Sequence, residues 1–296
     1  MAWWRFGRTE KAPSAEALSA EERTALRALV AAAKYELIPL KNVRDEAALL
    51  PPGVVATVTA SPRHGIETTL EVSEYVAARG HDVIPHFSAR MIRDRAHLSE
   101  LLARAGAANI RKVFVVGGDA DQAGEFSNGL DLLRAMHEVG HPFAEIGVPS
   151  YPEGHASIPD DVLMRLLKEK QQYAHTTTTQ MAFNPQAVAE WIARIRSEGV
   201  TLPVHLGTPG VLEMTKLLRI AAQIGVADSA RYLQKNTGLI GALASPGSFG
   251  PDAFLQALAP AIADPAANIG GLHVFTMNAV GPTATWQQGM LDSLAG

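Results

Sequence analysis

"HTTTTQMAF" (175–183), "NPQAVAEWIARIRSEG" (184–199) and "LPVHLG" (202–207) follow one another with almost nothing between them. The first run is dense in β-branched residues, which suit a pleated, half-buried surface. The second opens with Asn184 as a helix N-cap and Pro185 at the first helical position, and it closes on Gly199. That is the punctuation of a helix at both ends. The third run is short and mostly apolar. Strand, helix and strand in so few residues predict a crossover between two parallel strands.

The same beat continues in both directions. Upstream are the strand-like runs "YELIPL" (35–40), "VVATVTAS" (54–61), "DVIPHFS" (82–88), "KVFVVGG" (112–118) and "AEIGVPS" (144–150); downstream is "LHVFTMN" (272–278). With the two runs above, that makes eight. "SAEERTALRALVAAAK" begins with a capping box, Ser19 to Glu22, and predicts a helix. "IETTLEVSEYVAARG" ends on Gly80, "AHLSELLARAG" on Gly106 and "NGLDLLRAMHEVG" on Gly140, glycines placed as helix C-caps. "TPGVLEMTKLLRIAAQIG" reads as a helix opened by Thr208 and Pro209. Residues 41–53 are too short and proline-bound for a long helix, while 228–243 and 251–263 leave room for extra ones.

Many of these strands are continuously apolar, as strands covered on both faces are. Eight strand–helix repeats predict an α/β fold, a closed (β/α)8 TIM barrel. Residues 1–18 read as an N-terminal arm and 19–296 as one barrel domain. An open doubly wound sheet is the alternative, but no G-x-G-x-x-G follows the early strands.

Bulk composition removes several functions. The net charge is −4, so no basic field points to nucleic acid or an anionic membrane. With no cysteine, thiolate metal sites, iron–sulfur clusters and cysteine nucleophiles are excluded. The start, "MAWWRFGRTEKAPSAEALSAEER", has no apolar core of a signal peptide, and no apolar run is long enough to span a membrane. The expectation is a soluble, cytoplasmic protein.

In such barrels the chemistry sits at the strand C-termini. There the sequence places Glu36, Thr59, His86, Gly117-Gly118-Asp119, Tyr151 and His155, then Thr177, Thr179 and Gln180, and last Asn278. Singly, each suits a structural role: Asp119 after two glycines a turn, His86 a satisfied core histidine. Together they gather two carboxylates, two imidazoles, a phenol and an amide at one end. The first strand has no H-x-H zinc pair, H-E-x-x-H and G-x-S-x-G are absent, and no lysine lies mid-strand for a Schiff base. A set rich in neutral hydrogen-bonding groups suits a large, flat, uncharged heterocycle.

"YELIP", "TVTAS", "PHFS", "GGD", "YPEGH", "LKEK", "TTQMAF" and "HVFTMN", in this order and spacing, resemble the methylenetetrahydrofolate reductase family along its catalytic barrel, from about Tyr35 to Asn278. The resemblance implies FAD at the barrel mouth, reduced by NADH or NADPH, and reduction of 5,10-methylenetetrahydrofolate to 5-methyltetrahydrofolate. It implies Glu36 as general acid and Asp119 as the carboxylate near flavin and pterin. Gln180 and Phe183 would bind substrate. Thr59, His86, Gly118, Asp119, Tyr151, His155 and Lys170 would contact FAD. It also implies a homo-oligomer with no nucleic-acid, membrane or metal partner. The chain departs from the family at Leu37-Ile38-Pro39-Leu40, where two aromatics and two prolines are usual, and at Gly117, where arginine is common. A flavin-free or non-catalytic folate-binding barrel, and an unrelated metal-dependent barrel lyase, stay open as alternatives.

Overall fold

The computed structural model describes residues 17–121, 124–223 and 248–295. Most of the expected N-terminal arm, and the helix expected at 228–243, lie outside the described residues.

Eight parallel strands close into a barrel: β1 (Lys34–Leu37), β2 (Val55–Val58), β3 (Val83–Ser88), β4 (Lys112–Val116), β5 (Glu145–Ser150), β6 (Thr176–Thr179), β7 (Val204–Pro209) and β10 (Ile269–Phe275). Two short antiparallel strands, β8 (Leu212–Glu213) and β9 (Ser248–Phe249), sit between β7 and β10. Closure comes from β10, which pairs with β7 on one side and β1 on the other. The alternation read from the sequence is therefore a (β/α)8 barrel.

The helices form where the signals predict. Helix α1 (Ala20–Ala31) carries the reciprocal Ser19–Glu22 capping box. A single turn and a half, α2 (Val43–Ala47), fills the proline-bound link. Then come α3 (Gly65–Ala77), α4 (Arg95–Ala107), α5 (Gly129–Val139), α6 (Asp160–Lys170) and α7 (Pro185–Ser197), the last capped by the Asn184 side chain on the N–H groups of Gln186 and Ala187. Leu26, Leu70, Leu98, Leu101, Ile192 and Ile195 turn inward from these helices and are essentially fully buried. Burial of each such side chain contributes about 1.5–3 kcal/mol.

Three boundaries differ from the sequence reading. Thr208 and Pro209 belong to β7, where they pair with Val274 and Phe275 of β10, so the helix α8 starts only at Met214 and runs to Gln223. A sheet partner outcompetes a capping role here. Gly106 lies inside α4, and Asn109 takes the left-handed exit instead, at φ 55°. The runs "YELIPL" and "HTTTTQMAF" end as strands at Leu37 and Thr179, because each then turns to form the mouth.

The barrel interior is unusually polar. TIM-barrel interiors are dominated by branched aliphatic side chains. Here Lys34, Thr57, His86, Thr176, Thr178, His205 and His273 line a central void of about 20 Å³. Gly207 is required by this crowding: a Cβ there would stand 2.2 Å from the Thr179 carbonyl oxygen and 2.9 Å from the Phe275 ring. At the floor, Lys34 of β1 reaches Glu145 of β5 at 3.4 Å and the His205 ring of β7 at 3.4 Å. Lys112 of β4 joins Glu145 at 3.7 Å and Asp82 at 2.6 Å. Burial holds the Lys34 ammonium below the usual lysine range despite Glu145.

Candidate active site

Glu36 is the next-to-last residue of β1, and its carboxylate points into the barrel, 5% exposed. Three residues of "HVFTMN" hold it. His273 Nε2 lies 3.1 Å from Glu36 Oε2. The Thr276 hydroxyl donates to the Glu36 carbonyl. Asn278, at φ 55°, accepts from Ile38 N–H at 2.8 Å and donates to the Ile38 carbonyl at 2.9 Å. The last two bonds stitch the end of β10 to the turn after β1, so the acid's backbone is fixed on both sides. His273 was not among the residues predicted from sequence. The signal was available: in "LHVFTMN", His273 and Phe275 are two apart and share the inward face of a strand.

The other expected residues divide by depth. Thr59 immediately follows β2; its N–H donates to the Leu37 carbonyl and its own carbonyl accepts from Thr69. Gly118 follows β4 at φ 89°, and a Cβ there would stand 1.9 Å from Ser88 Oγ, so only glycine fits. Asp119 is exposed at the rim and near enough to Tyr151 to act on it: burial, and then the Asp119 charge, push the Tyr151 phenol up to about 12. Gln180 follows β6; its N–H donates to the Ser150 carbonyl, and its side-chain oxygen accepts from Met181 N–H. His86 lies deeper, mid-strand in β3, beside Phe114 and facing His273. Burial, and then His273, depress its pKa to about 3, so it is neutral near pH 7. Thr177 and Thr179 are occupied by neighbouring backbone, at Val148 and Gly207. Phe183 is fully buried edge-on to Phe249, in a satellite cluster with Met181, Leu212 and Leu217.

The "SYPEGH" loop after β5 is compactly built. Tyr151 and His155 meet edge to face, 4.9 Å between ring centres. His155 Nδ1 accepts from Ser157 N–H at 3.2 Å, which puts the proton of the neutral ring on Nε2. Glu153 accepts from the N–H groups of Phe183 and Asn184 and ties this loop to the start of α7. A cavity of about 350 Å³ opens beside it, lined by Gly117, Ser150, Tyr151, Leu163, Trp191 and Lys170 among others. Lys170 is a cation with no side-chain partner among the described residues, and burial lowers its pKa. The Ser150 hydroxyl, also on the cavity, is buried without a partner among the described residues. Because α6 runs back down the barrel, Lys170 stands ten residues, roughly 15 Å, along the helix from its start at Asp160. Lys170 and Tyr151 both line this one cavity. Among the described residues no cluster of three or more metal-ligating side chains occurs, and no helix is long and apolar enough to cross a membrane.

A closed barrel with a buried acid on its first strand, a polar rim and an adjoining cavity defines a (β/α)8 protein whose site lies at the strand C-termini. The sequence profile of methylenetetrahydrofolate reductase matches residues 40–283, most of the chain. The chain belongs to that family of folate-related oxidoreductases. The matched span begins just after Glu36 and contains all the other expected site residues. Among solved structures, a plant class V chitinase mutant and a GH18 chitinase from Cycas revoluta, each in complex with (GlcNAc)3, superpose with a TM-score of 0.50 at 9% identity. Each match covers 88% of this chain and 99% of the chitinase. At that identity the likeness shows the barrel fold alone.

Proposed function

We propose that the chain reduces 5,10-methylenetetrahydrofolate to 5-methyltetrahydrofolate, with NADH or NADPH as hydride donor and FAD as carrier. The observation that carries this reading is Glu36, a carboxyl group buried in the barrel, fixed from both sides and placed on the first strand of a chain of this family. Ring opening of the folate needs a proton at the nitrogen of position 10, and a positioned general acid contributes about 10²–10⁴-fold to such a step. Glu36 is the proton donor in this reading. Asp119, at the rim, stabilises the positive charge of the iminium that results. The Gln180 side-chain amide nitrogen, whose oxygen partner is already committed to Met181, is placed to bind the pterin or nicotinamide amide.

The residues present fit FAD. Lys170 offers a partly desolvated cation, without a side-chain partner among the described residues, for the phosphates; Ser150 and Tyr151 line the same cavity. Bound there, FAD would supply the hydride relay between nicotinamide and folate. Two features favour a second reading, the same barrel working without flavin: a glycine, Gly117, and not a cation follows β4, and His86 lies inside the barrel and not on the rim.

The purified chain, titrated with FAD and assayed with each nicotinamide and the folate, separates the readings. A flavin spectrum, and folate reduction that depends on it, support the first. Folate reduction by a colourless protein that takes up no FAD supports the second. No folate reduction under either condition overturns both. Changing Tyr151 and His155 together to alanine is expected to weaken FAD retention without unfolding the barrel.

A further inference from the structure

Glu36 and His273 face each other inside the barrel, 95% or more hidden from water, with Oε2 and Nε2 3.1 Å apart. Behind His273 lies the central void of about 20 Å³, enough for one water molecule given polar partners. Thr57 Oγ1 and His86 Nε2 are buried at that void without partners among the described residues, and the His86 ring centre lies 6.3 Å from that of His273. A carboxylic acid that must give up a proton near neutral pH needs a reason to be loaded. The mouth offers Glu36 no hydrogen-bonded partner for its carboxylate among the described residues. The barrel interior does.

We propose that Glu36 and His273 hold one proton between them and deliver it as a unit, with His273 the positioning residue that keeps the acid loaded and the void behind it the route of resupply. This rests on the reading of Glu36 as the acid. In a dry interior the pair has four protonation states. The two that carry one proton are neutral overall; losing it leaves a lone buried carboxylate, and gaining a second leaves a lone buried cation, both costly. The one-proton state therefore persists over a wide pH range, and its loss belongs to the pair and not to either group. When Oε1 of Glu36 gives the proton to the substrate nitrogen, the pair is left as a carboxylate beside a neutral imidazole. One proton taken up by His273 from the void restores the one-proton pair, and passage from Nε2 to Oε2 then reloads the carboxyl and leaves His273 neutral. The pair gives up one proton and regains one, so atoms and charge balance, and no redox partner is involved.

The other titratable groups facing the pair have been placed. From β1, Lys34 is engaged with Glu145 and His205. From β4, Lys112 is engaged with Asp82 and Glu145. His86 of β3 and His205 of β7 are both held to about 3, chiefly by burial. β2 and β6 offer hydroxyls only. None of these supplies a competing proton near neutral pH next to Glu36.

Two titrations on the full chain, with no substrate or cofactor added, test this. Infrared difference spectra, with Glu36→Gln as the blank, follow the Glu36 carboxyl; ¹⁵N spectra of labelled histidine follow His273, assigned by its loss in His273→Gln. The pair is expected to hold a proton at pH 7. Its loss in the intact chain should come at least about one pH unit later than the titration of Glu36 in His273→Gln or of His273 in Glu36→Gln, the scale of a close opposite charge. Neither group protonated at pH 7, or equal midpoints with and without the partner, overturns the proposal. If His273→Gln does not fold, the intact chain against Glu36→Gln decides alone. In the pH–rate profile of folate reduction, His273→Gln should move the alkaline limb down by at least about one unit and recover toward the intact rate in acid. A uniform loss at every pH means a merely structural role and overturns it as well. A chain that reduces no folate refutes the proposed function, and the titrations then still decide proton sharing.

Discussion

Removing the Asn278 side chain by Asn278→Ala tests whether β10 fixes the acid's strand. The side chain is 8% exposed and makes bonds to Ile38 N–H at 2.8 Å, the Ile38 carbonyl at 2.9 Å and Asn42 at 3.3 Å. Each neutral bond is worth about 1 kcal/mol net, and a buried partner left unsatisfied costs about 1–3 kcal/mol. Alanine also adopts φ 55° less readily than asparagine, by roughly 1 kcal/mol. The sum is about 3–5 kcal/mol. For a chain of 296 residues that lowers Tm by roughly 5–8 °C. Asn278→Asp keeps the acceptor for Ile38 N–H and tolerates the left-handed backbone, so it should lose about half as much. Thermal unfolding followed by circular dichroism gives the ranking. A loss below about 1 kcal/mol for Asn278→Ala, or an aspartate variant no better than alanine, would refute the idea that this residue clamps the turn after β1.

The remaining expectations are briefer. Glu36→Gln should leave reduction of bound flavin by nicotinamide near normal and slow folate reduction by at least about a hundredfold, both read by stopped-flow absorbance; Asp119→Asn should slow the folate step less. Equal slowing of both half-reactions by Glu36→Gln would remove it from the role of acid. Gly118→Ala should destabilise the fold by about 1–3 kcal/mol, through positive φ and the clash with Ser88 Oγ; adding Ser88→Ala should recover at least about 1 kcal/mol, and no recovery would mean the clash is not the cause. His86 and His205 titrate in the fold at about 3 against an ordinary 6.5. The unfolded chain therefore binds more protons between those values, and stability falls as pH drops through that window, by at most about 1.4 kcal/mol per pH unit per histidine. His205→Gln should flatten the fall in chemical-denaturation midpoints between pH 7 and pH 4; an unchanged slope would show that His205 takes up its proton in the fold.

The eight-beat rhythm was legible because each strand is punctuated by a helix cap, and Asn184, Ser19, Gly140 and Gly199 behave as their local chemistry dictates. The reading failed where tertiary pairing competed with that chemistry: Thr208 looks like a cap but is held by β10. At the candidate site, Glu36, Asp119, Tyr151 and Gln180 stand out in the sequence because polar residues beside strand ends are conspicuous. His273 and the Lys34–Glu145 contact were missed because the sequence reading treated the barrel interior as apolar. Inward-facing polar residues on seven different strands have no local signature; only closure brings them together. Glu153 was invisible for the same reason, since the backbone groups it satisfies lie 30 and 31 residues away.

The contacts across the floor of the barrel bear on how the chain can come apart. Lys34 and Lys112 lie in the first four strands; Glu145 and His205 lie in the last four. A half-barrel cut between β4 and β5 would carry two inward lysines whose one remaining acid partner among the described residues is Asp82, while its complement would carry Glu145 parted from both lysines. Neither fragment can hide its interior from water cheaply. Many eightfold barrels invite a view as two fused halves, each a folding unit in its own right. In this one the ion network crosses the seam, so assembly is expected to be a single cooperative event. The two halves expressed separately should recover a folded barrel only when they are mixed.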